Sequence, residues 1–246
     1  MVRGALSAVL TVGCWIAWLL LHVATIPVPG LQRRWRRWMF SLWSRALLGV
    51  FGVRVEVVGR PPGEPGFLVC NHLSYIDIPV LAASLGPVFV AKAEIAGWPV
   101  IGMLARCMGT VFIDRGRKRD IPNVNRQIDE ALAAGDGVVV FPEGTSTNGA
   151  AVAPFRTSLL APAAQVQRPV HVASLSYRTV DGDPSASETV CWWGEMELMP
   201  HLLVFLGLKR VEARLRFGSA PVVGADRKLL AEKLWQAVDQ IFIPTP

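Results

Sequence analysis

Residues Asn71-His72-Leu73-Ser74-Tyr75-Ile76-Asp77 set an imidazole and a carboxylate five positions apart. Such a pair suits the activation of a hydroxyl: the carboxylate holds one ring nitrogen while the other takes a proton from an alcohol. On a regular helix five residues turn through about 500°, which would leave His72 and Asp77 about 140° apart, so they can meet only where a loop runs into a helix. The flanking residues predict that junction. Phe67-Leu68-Val69-Cys70 reads as a short buried strand, Ser74 is a good N-cap, and Asp77 falls in the first helical turn, facing back over the loop. Ser74-x-x-Asp77 is also a capping-box-like pattern, so these seven residues alone leave a structural and a catalytic reading open.

Three further strings follow in order: Lys92-Ala93-Glu94-Ile95 with Pro99 and Gly102, then Gly109-Thr110-Val111-Phe112-Ile113-Asp114-Arg115, then Phe141-Pro142-Glu143-Gly144-Thr145. A softer block is Arg168-Pro169-Val170-His171-Val172, a strand entered through proline. From about Val53 to the C-terminus, this order and spacing resembles the glycerolipid acyltransferases of the bacterial 1-acylglycerol-3-phosphate (lysophosphatidate) acyltransferase type. The resemblance implies transfer of a fatty acyl group from a thioester, acyl-CoA or acyl carrier protein, to the free hydroxyl of a lysolipid. It implies direct transfer in a ternary complex, with no cofactor beyond the thioester co-substrate, and it places lysophosphatidate first as acceptor with phosphatidate as product.

Carried over residue by residue, the resemblance makes His72 the general base and Asp77 its partner. Arg115, after an apolar strand, is the clamp for an acceptor phosphate. Glu143, Gly144 and Thr145 match the acceptor-binding motif, and Asn71, Ser74, Lys92 and Arg156 are placed with the substrate-binding residues. Amides near Gly144 or at the start of the Ser74 helix are candidate donors to the oxyanion. The chain departs from the pattern after Thr145, where an arginine is usual and Ser146, Thr147 and Asn148 stand. One phosphate-binding cation is therefore missing. Either Arg156 or Lys92 replaces it, or the acceptor is another lysolipid, one with a substituted head group or a lyso-ornithine lipid. A non-catalytic lipid-binding protein is the rival from another class, but binding alone needs no base. A lipid hydrolase is disfavoured because no G-x-S-x-G elbow occurs.

A lysolipid acceptor agrees with the composition, in which 52% of residues are hydrophobic and 18% charged. From Ala5 to Val28 nothing is charged, a length that can cross a hydrocarbon core of about 30 Å as a helix. Arg33, Arg34, Arg36 and Arg37 follow, interleaved with Trp35 and Trp38, a membrane-surface signature. The apolar run is longer than that of a signal peptide, so it is read as a retained anchor. Pro27 and Pro29 leave open whether it spans or turns back within one leaflet. The basic cluster outweighs Arg3 and places the following domain at the cytoplasmic face of the inner membrane, with Trp35 to Phe51 as an amphipathic helix on the bilayer. Net charge is +6, concentrated beside that segment, which fits anionic lipid, and no nucleic-acid module is present. Cys14, Cys70, Cys107 and Cys191 show neither C-x-x-C spacing nor a partner histidine cluster, which argues for reduced thiols and against a zinc site.

The elements that must position these residues alternate. Val53 to Val58, Phe67 to Cys70, Val88 to Ala91, Thr110 to Ile113, Val138 to Phe141, Val170 to Tyr177 and Val211 to Phe217 read as strands. Ile76 to Leu85, Pro99 to Met108, Asp120 to Ala134, Phe155 to Gln165 and Asp226 to Ile241 read as helices. The expected fold is a single α/β acyltransferase domain, residues 51–246, with a largely parallel or mixed sheet flanked by helices. Residues 1–50 form the N-terminal membrane-anchoring segment. The functional strings lie at strand ends, where open α/β sheets bind ligands. Trp192 to Glu197 and Pro200 to Leu208 suit either core packing or contact with lipid, and His201 reads as structural.

Overall fold

A computed structural model describes residues 2–25, 28–114 and 121–246. Seven strands form one sheet in the order β1 (Val53–Val58), β7 (Val211–Phe217), β6 (Val170–Thr179), β2 (Phe67–Cys70), β5 (Val138–Val140), β3 (Val88–Lys92), β4 (Val111–Ile113). All neighbours are parallel except β6 and β7, which pair antiparallel from Ala173↔Phe217 to Thr179↔Val211. The fold is therefore α/β with a mostly parallel sheet, as the alternation of elements required. Five strands, β6 to β4 in that order, point their carboxyl ends to the same edge.

Period-two alternation within short apolar strands divides the core into two layers. In β2, Leu68 and Cys70 face one layer and Phe67 and Val69 the other. The first layer holds α2 (Pro29–Phe51), α3 (Asp77–Leu85) and α8 (Leu198–Gly207), through Leu47, Leu48, Phe51, Val80, Leu81 and Phe205. The second holds α5 (Ile121–Ala133), α6 (Ala161–Gln165) and α9 (Arg227–Ile241), through Val124, Ile128, Ala163, Leu230 and Leu234. Two further helices are short, α4 (Ile101–Cys107) and α7 (Ala186–Thr189).

At the N-terminus α1 (Val2–Thr25) doubles back on α2. The Trp43 indole N–H donates to Thr11 Oγ1 at 3.1 Å and that of Trp35 to the Trp18 carbonyl at 3.4 Å, an antiparallel register. The Arg3 guanidinium caps the carbonyls of Leu208 and Lys209, so the start of α1 is tied to the end of α8. The outer face of α1 is bare, with Val9, Val12 and Leu20 exposed, and the helix is long and apolar enough to cross a membrane. α2 begins at Pro29, six residues before the expected Trp35, because proline suits a first helical turn. It is docked along the domain: Arg36 pairs with Asp136 at 2.7 Å and donates to the Met108 carbonyl at 2.9 Å. Arg36 is thus spent on the fold, while Trp38 stays exposed. Gly52 ends the helix at φ +73°, the left-handed conformation that turns the chain into β1.

Two expected helices differ in detail. The stretch Phe155 to Gln165 resolves into a 3-10 turn, Thr157–Leu160, and α6, because Pro162 fits the start of a helix but not its interior. α4 starts at Ile101, after Val100 at φ +62°. The apolar stretch Pro200 to Leu208 lies in α8, which buries His201 and Phe205 on one side and exposes Met199, Leu203 and Val204 on the other.

Candidate active site

β2 ends at Cys70, paired with Ala173, and the next residue continues the ladder with its side chain. Asn71 Oδ1 accepts from the Leu175 amide at 2.7 Å while its Nδ2 donates to the Leu175 carbonyl at 3.0 Å. A side-chain amide here mimics one more strand residue, which satisfies β6 and frees the backbone of residues 71–72 to leave the sheet. Both polar atoms of this buried side chain are therefore engaged inside the protein.

His72 follows at once. Its N–H donates to Glu143 Oε1 at 2.8 Å and its carbonyl accepts from the Thr147 amide at 2.9 Å. The ring stacks on Phe141 with centroids 4.1 Å apart. Its Nδ1 lies 2.6 Å from Asp77 Oδ2, the contact that a loop-to-helix junction was needed to allow. Asp77 is fully buried, and Oδ2 also accepts from the amides of Leu73 at 2.7 Å and Ser74 at 3.1 Å. Its other oxygen, Oδ1, accepts from the Tyr177 hydroxyl at 2.6 Å. A carboxylate oxygen at Nδ1 selects the Nδ1–H tautomer of the imidazole, which leaves the Nε2 lone pair for a substrate proton. The imidazole is 23% exposed, enough for an alcohol to reach it.

Ser74 is not the N-cap. The helix begins at Asp77, and Ser74 Oγ accepts instead from the Ile76 amide at 3.3 Å while the Ser74 carbonyl accepts from the Asp77 amide. The carboxylate of Asp77, reaching back over the loop, accepts from the Ser74 amide, which is the half of a capping box contributed by its third residue. Several of the expected oxyanion donors already have partners. The amides of Leu73, Ser74, Ile76 and Asp77 are all engaged, and that of Gly144 donates to the Phe141 carbonyl at 3.1 Å.

The loop after β5 comes from the neighbouring strand. Glu143 is buried; its second oxygen accepts from the Ala153 amide at 3.2 Å, so this carboxyl pins the His72 backbone to the loop beyond it. Burial pushes the Glu143 carboxyl up to about 8, against the lowering by its two amide partners. Gly144 sits at φ +81°, and a Cβ there would lie 2.8 Å from Arg156 Nε. Glycine thus lets the arginine lie across the turn, with the Arg156 amide bonded to the Pro142 carbonyl at 2.8 Å and its side chain exposed. Thr145 is exposed beside it. The hydroxyl of Ser146 donates to the Trp192 carbonyl. Lys92, at the end of β3, is exposed and pairs with Glu94 at 3.0 Å. Arg115 and the expected helix start at Asp120 lie outside the described residues.

Family membership rests on comparison with known proteins. The Acyltransferase family profile matches residues 54–177, which include His72, Asp77 and the Glu143 turn. The chain belongs to the Acyltransferase family. The lyso-ornithine lipid O-acyltransferase of Brucella abortus is 36% identical over 217 residues, 83% of this chain and 81% of that one. The 1-acyl-sn-glycerol-3-phosphate acyltransferase of Neisseria meningitidis is 32% identical over 200 residues, 79% of this chain and 77% of that one. In fold, the crystal structure of the 1-acyl-sn-glycerophosphate acyltransferase PlsC of Thermotoga maritima superposes with a TM-score of 0.65 at 19% identity, covering 97% of each chain. This chain is accordingly an acyltransferase acting on lysolipids.

Three residues of this acyltransferase site were not legible in the strings around His72. Phe141 supplies the stacking face. Tyr177 closes the fourth bond to Asp77 from β6, a hundred residues away. The signal for it was a tyrosine in phase with Leu175 on an apolar strand, since a buried phenol requires a partner. His201 reaches the loop through Tyr75, whose hydroxyl donates to His201 Nδ1 at 3.0 Å, while His201 Nε2 donates to the Cys191 carbonyl at 3.0 Å. Burial pushes the His201 imidazole below its ordinary value, which keeps this bridge between α8 and the loop neutral.

Proposed function

We propose that this acyltransferase carries a fatty acyl group from acyl-CoA or acyl carrier protein to the hydroxyl of a lysolipid with an amino-acid head group, a lyso-ornithine lipid before lysophosphatidate. In this reading His72 Nε2 removes the acceptor's hydroxyl proton as its oxygen attacks the thioester carbonyl. The tetrahedral intermediate expels the thiol, which takes the proton from His72, so base and acid are one group. Asp77 stabilises the imidazolium between the two steps.

The observation that carries the choice of acceptor is Ser146. It stands where lysophosphatidate acyltransferases usually carry an arginine, and its hydroxyl is committed to the Trp192 carbonyl. A phosphate dianion would find one cation fewer beside the Glu143 turn. Among the described residues, the cation beside that turn is Arg156, which suits a single carboxylate of an amino-acid head group as well as one face of a phosphate. The B. abortus protein named for lyso-ornithine lipid supports the same reading. Arg156 is also what favours lysophosphatidate as the second choice, because it replaces the absent arginine from ten residues farther along the chain.

The bare apolar face of α1 and the exposed Arg34 and Trp38 support attachment to anionic bilayers at the cytoplasmic face. The test of the acceptor is a panel: protein purified in detergent, one acyl-CoA, and lyso-ornithine lipid, lysophosphatidate and lysophosphatidylethanolamine scored for product. Preference for the ornithine lipid, with Ser146→Arg raising use of lysophosphatidate, is the expected result. A wild-type preference for lysophosphatidate that Ser146→Arg leaves unchanged would overturn the proposal.

A further inference from the structure

The two oxygens of Asp77 are held unequally. Oδ2 takes three donors from its own loop, His72 Nδ1–H and the amides of Leu73 and Ser74, whereas the donor at Oδ1 is the Tyr177 hydroxyl. The loop donors fix Oδ2, and among the described residues it is the Tyr177 hydroxyl that serves Oδ1 of this fully buried side chain. Tyr177 holds that second oxygen from a rigid base. It is fully buried within β6, in register with Ala213 of β7, and its amide donates to Thr245 Oγ1 at 3.1 Å. At 2.6 Å the phenol–carboxylate bond has the length of a charge-assisted one.

We propose that Tyr177 is a positioning residue of acyl transfer: its hydroxyl satisfies the buried second oxygen of Asp77 and draws off part of the carboxylate's negative charge, and so sets both the aim and the basicity of His72. The inference rests on the acyltransferase chemistry assigned to His72. Burial, with the charge of Asp77 added, pushes the phenol well above its ordinary value, so it remains a donor at every pH at which the enzyme works. Each donor to a carboxylate lowers that carboxylate's pull on a neighbouring imidazolium. Removing the phenol leaves that oxygen buried and unpaired, which pulls the carboxylate toward another donor, so His72 should become more basic and be aimed less well, whereas a stronger donor should make it less basic. A tyrosine that merely satisfied its own buried hydroxyl would affect stability and neither property of His72.

Tyr177→Phe keeps the packed ring and deletes the bond. The expected result is a fall of about tenfold in kcat, the scale of one hydrogen bond to a charged group, with KM for both acyl-CoA and lysolipid within twofold of wild type. The acid limb of the rate–pH profile should move to higher pH. The titration of the His72 ring, followed by NMR among the chain's four histidines and assigned with His72→Gln, should move the same way. This second readout needs no substrate. It therefore reports on Tyr177 even if no acceptor in the panel is turned over, an outcome that would count against the acyltransfer reading alone. If Tyr177→Phe does not fold, the chain's two tyrosines allow an isosteric test: fluorotyrosine, a stronger donor, incorporated into Tyr75→Phe labels position 177 alone. Relative to unlabelled Tyr75→Phe, it should move the His72 titration to lower pH. Opposite shifts from the two perturbations, or the expected one from whichever protein folds, support the inference. A His72 titration that neither perturbation moves overturns it, as do unchanged kcat and acid limb in folded Tyr177→Phe.

Discussion

Asn71 separates a contact with substrate from a contact with the fold. Its side chain is buried, and its two polar atoms satisfy the amide and carbonyl of Leu175, itself fully buried. Asn71→Leu keeps the size and removes both bonds, leaving two buried backbone groups without partners at about 1–3 kcal/mol each. The extra apolar burial of leucine offsets about 1 kcal/mol of that. The net expected loss is about 3 kcal/mol, a large share of a typical domain's 5–15 kcal/mol. Urea unfolding in detergent, followed by tryptophan fluorescence, reads the change as a lower midpoint at unchanged slope. At a temperature where the variant remains folded, kcat should fall because the turn presenting His72 relaxes, while KM for the lysolipid stays within twofold. Wild-type stability together with a tenfold higher lysolipid KM would refute the reasoning and make Asn71 a substrate ligand.

Gly144→Ala forces a side chain into the left-handed region, at a cost of about 1–2 kcal/mol, and drives a methyl against Arg156. Kinetics should show a raised KM for the acceptor with KM for acyl-CoA unchanged. His201 gives a pH dependence with a definite sign. Its folded value lies below the ordinary 6.5, so the unfolded chain binds the proton first, and stability present above about pH 6.5 is lost as pH falls from there toward the folded value. Unfolding midpoints measured from pH 7.5 down to 5 should therefore decline less steeply in His201→Gln than in wild type. On α1, Val9 and Val12 face outward, and replacing both by Asp should reduce co-sedimentation with anionic vesicles without lowering the unfolding midpoint.

The sheet was legible because its strands are short apolar runs between turn residues, and six of the seven end within one residue of the expected position. Local chemistry was legible where one short segment contains it. His72 and Asp77 are five residues apart, and geometry left them a single way to meet. What sequence could not supply were partners fixed by strand order. Nothing near Asn71 predicts that its amide extends β2 along β6, and nothing near Asp77 announces Tyr177. Glu143 shows the same limit: the motif marked it, but its attachment to the His72 and Ala153 amides follows from β2 and β5 being neighbours. The serine before Asp77 misled for a different reason. Capping propensity treats the helix end as isolated, whereas here Tyr75 and Ile76 form a turn and the helix starts only at Asp77.

The central claim is that His72 Nε2 takes the acceptor's proton. His72→Ala, purified in the same detergent and assayed with acyl-CoA and the preferred lysolipid, tests it most directly. The account predicts a loss of at least about 10²-fold in kcat, the scale of a positioned general base, in a protein whose unfolding midpoint and membrane association match wild type. Turnover by folded His72→Ala within a few-fold of wild type would contradict it.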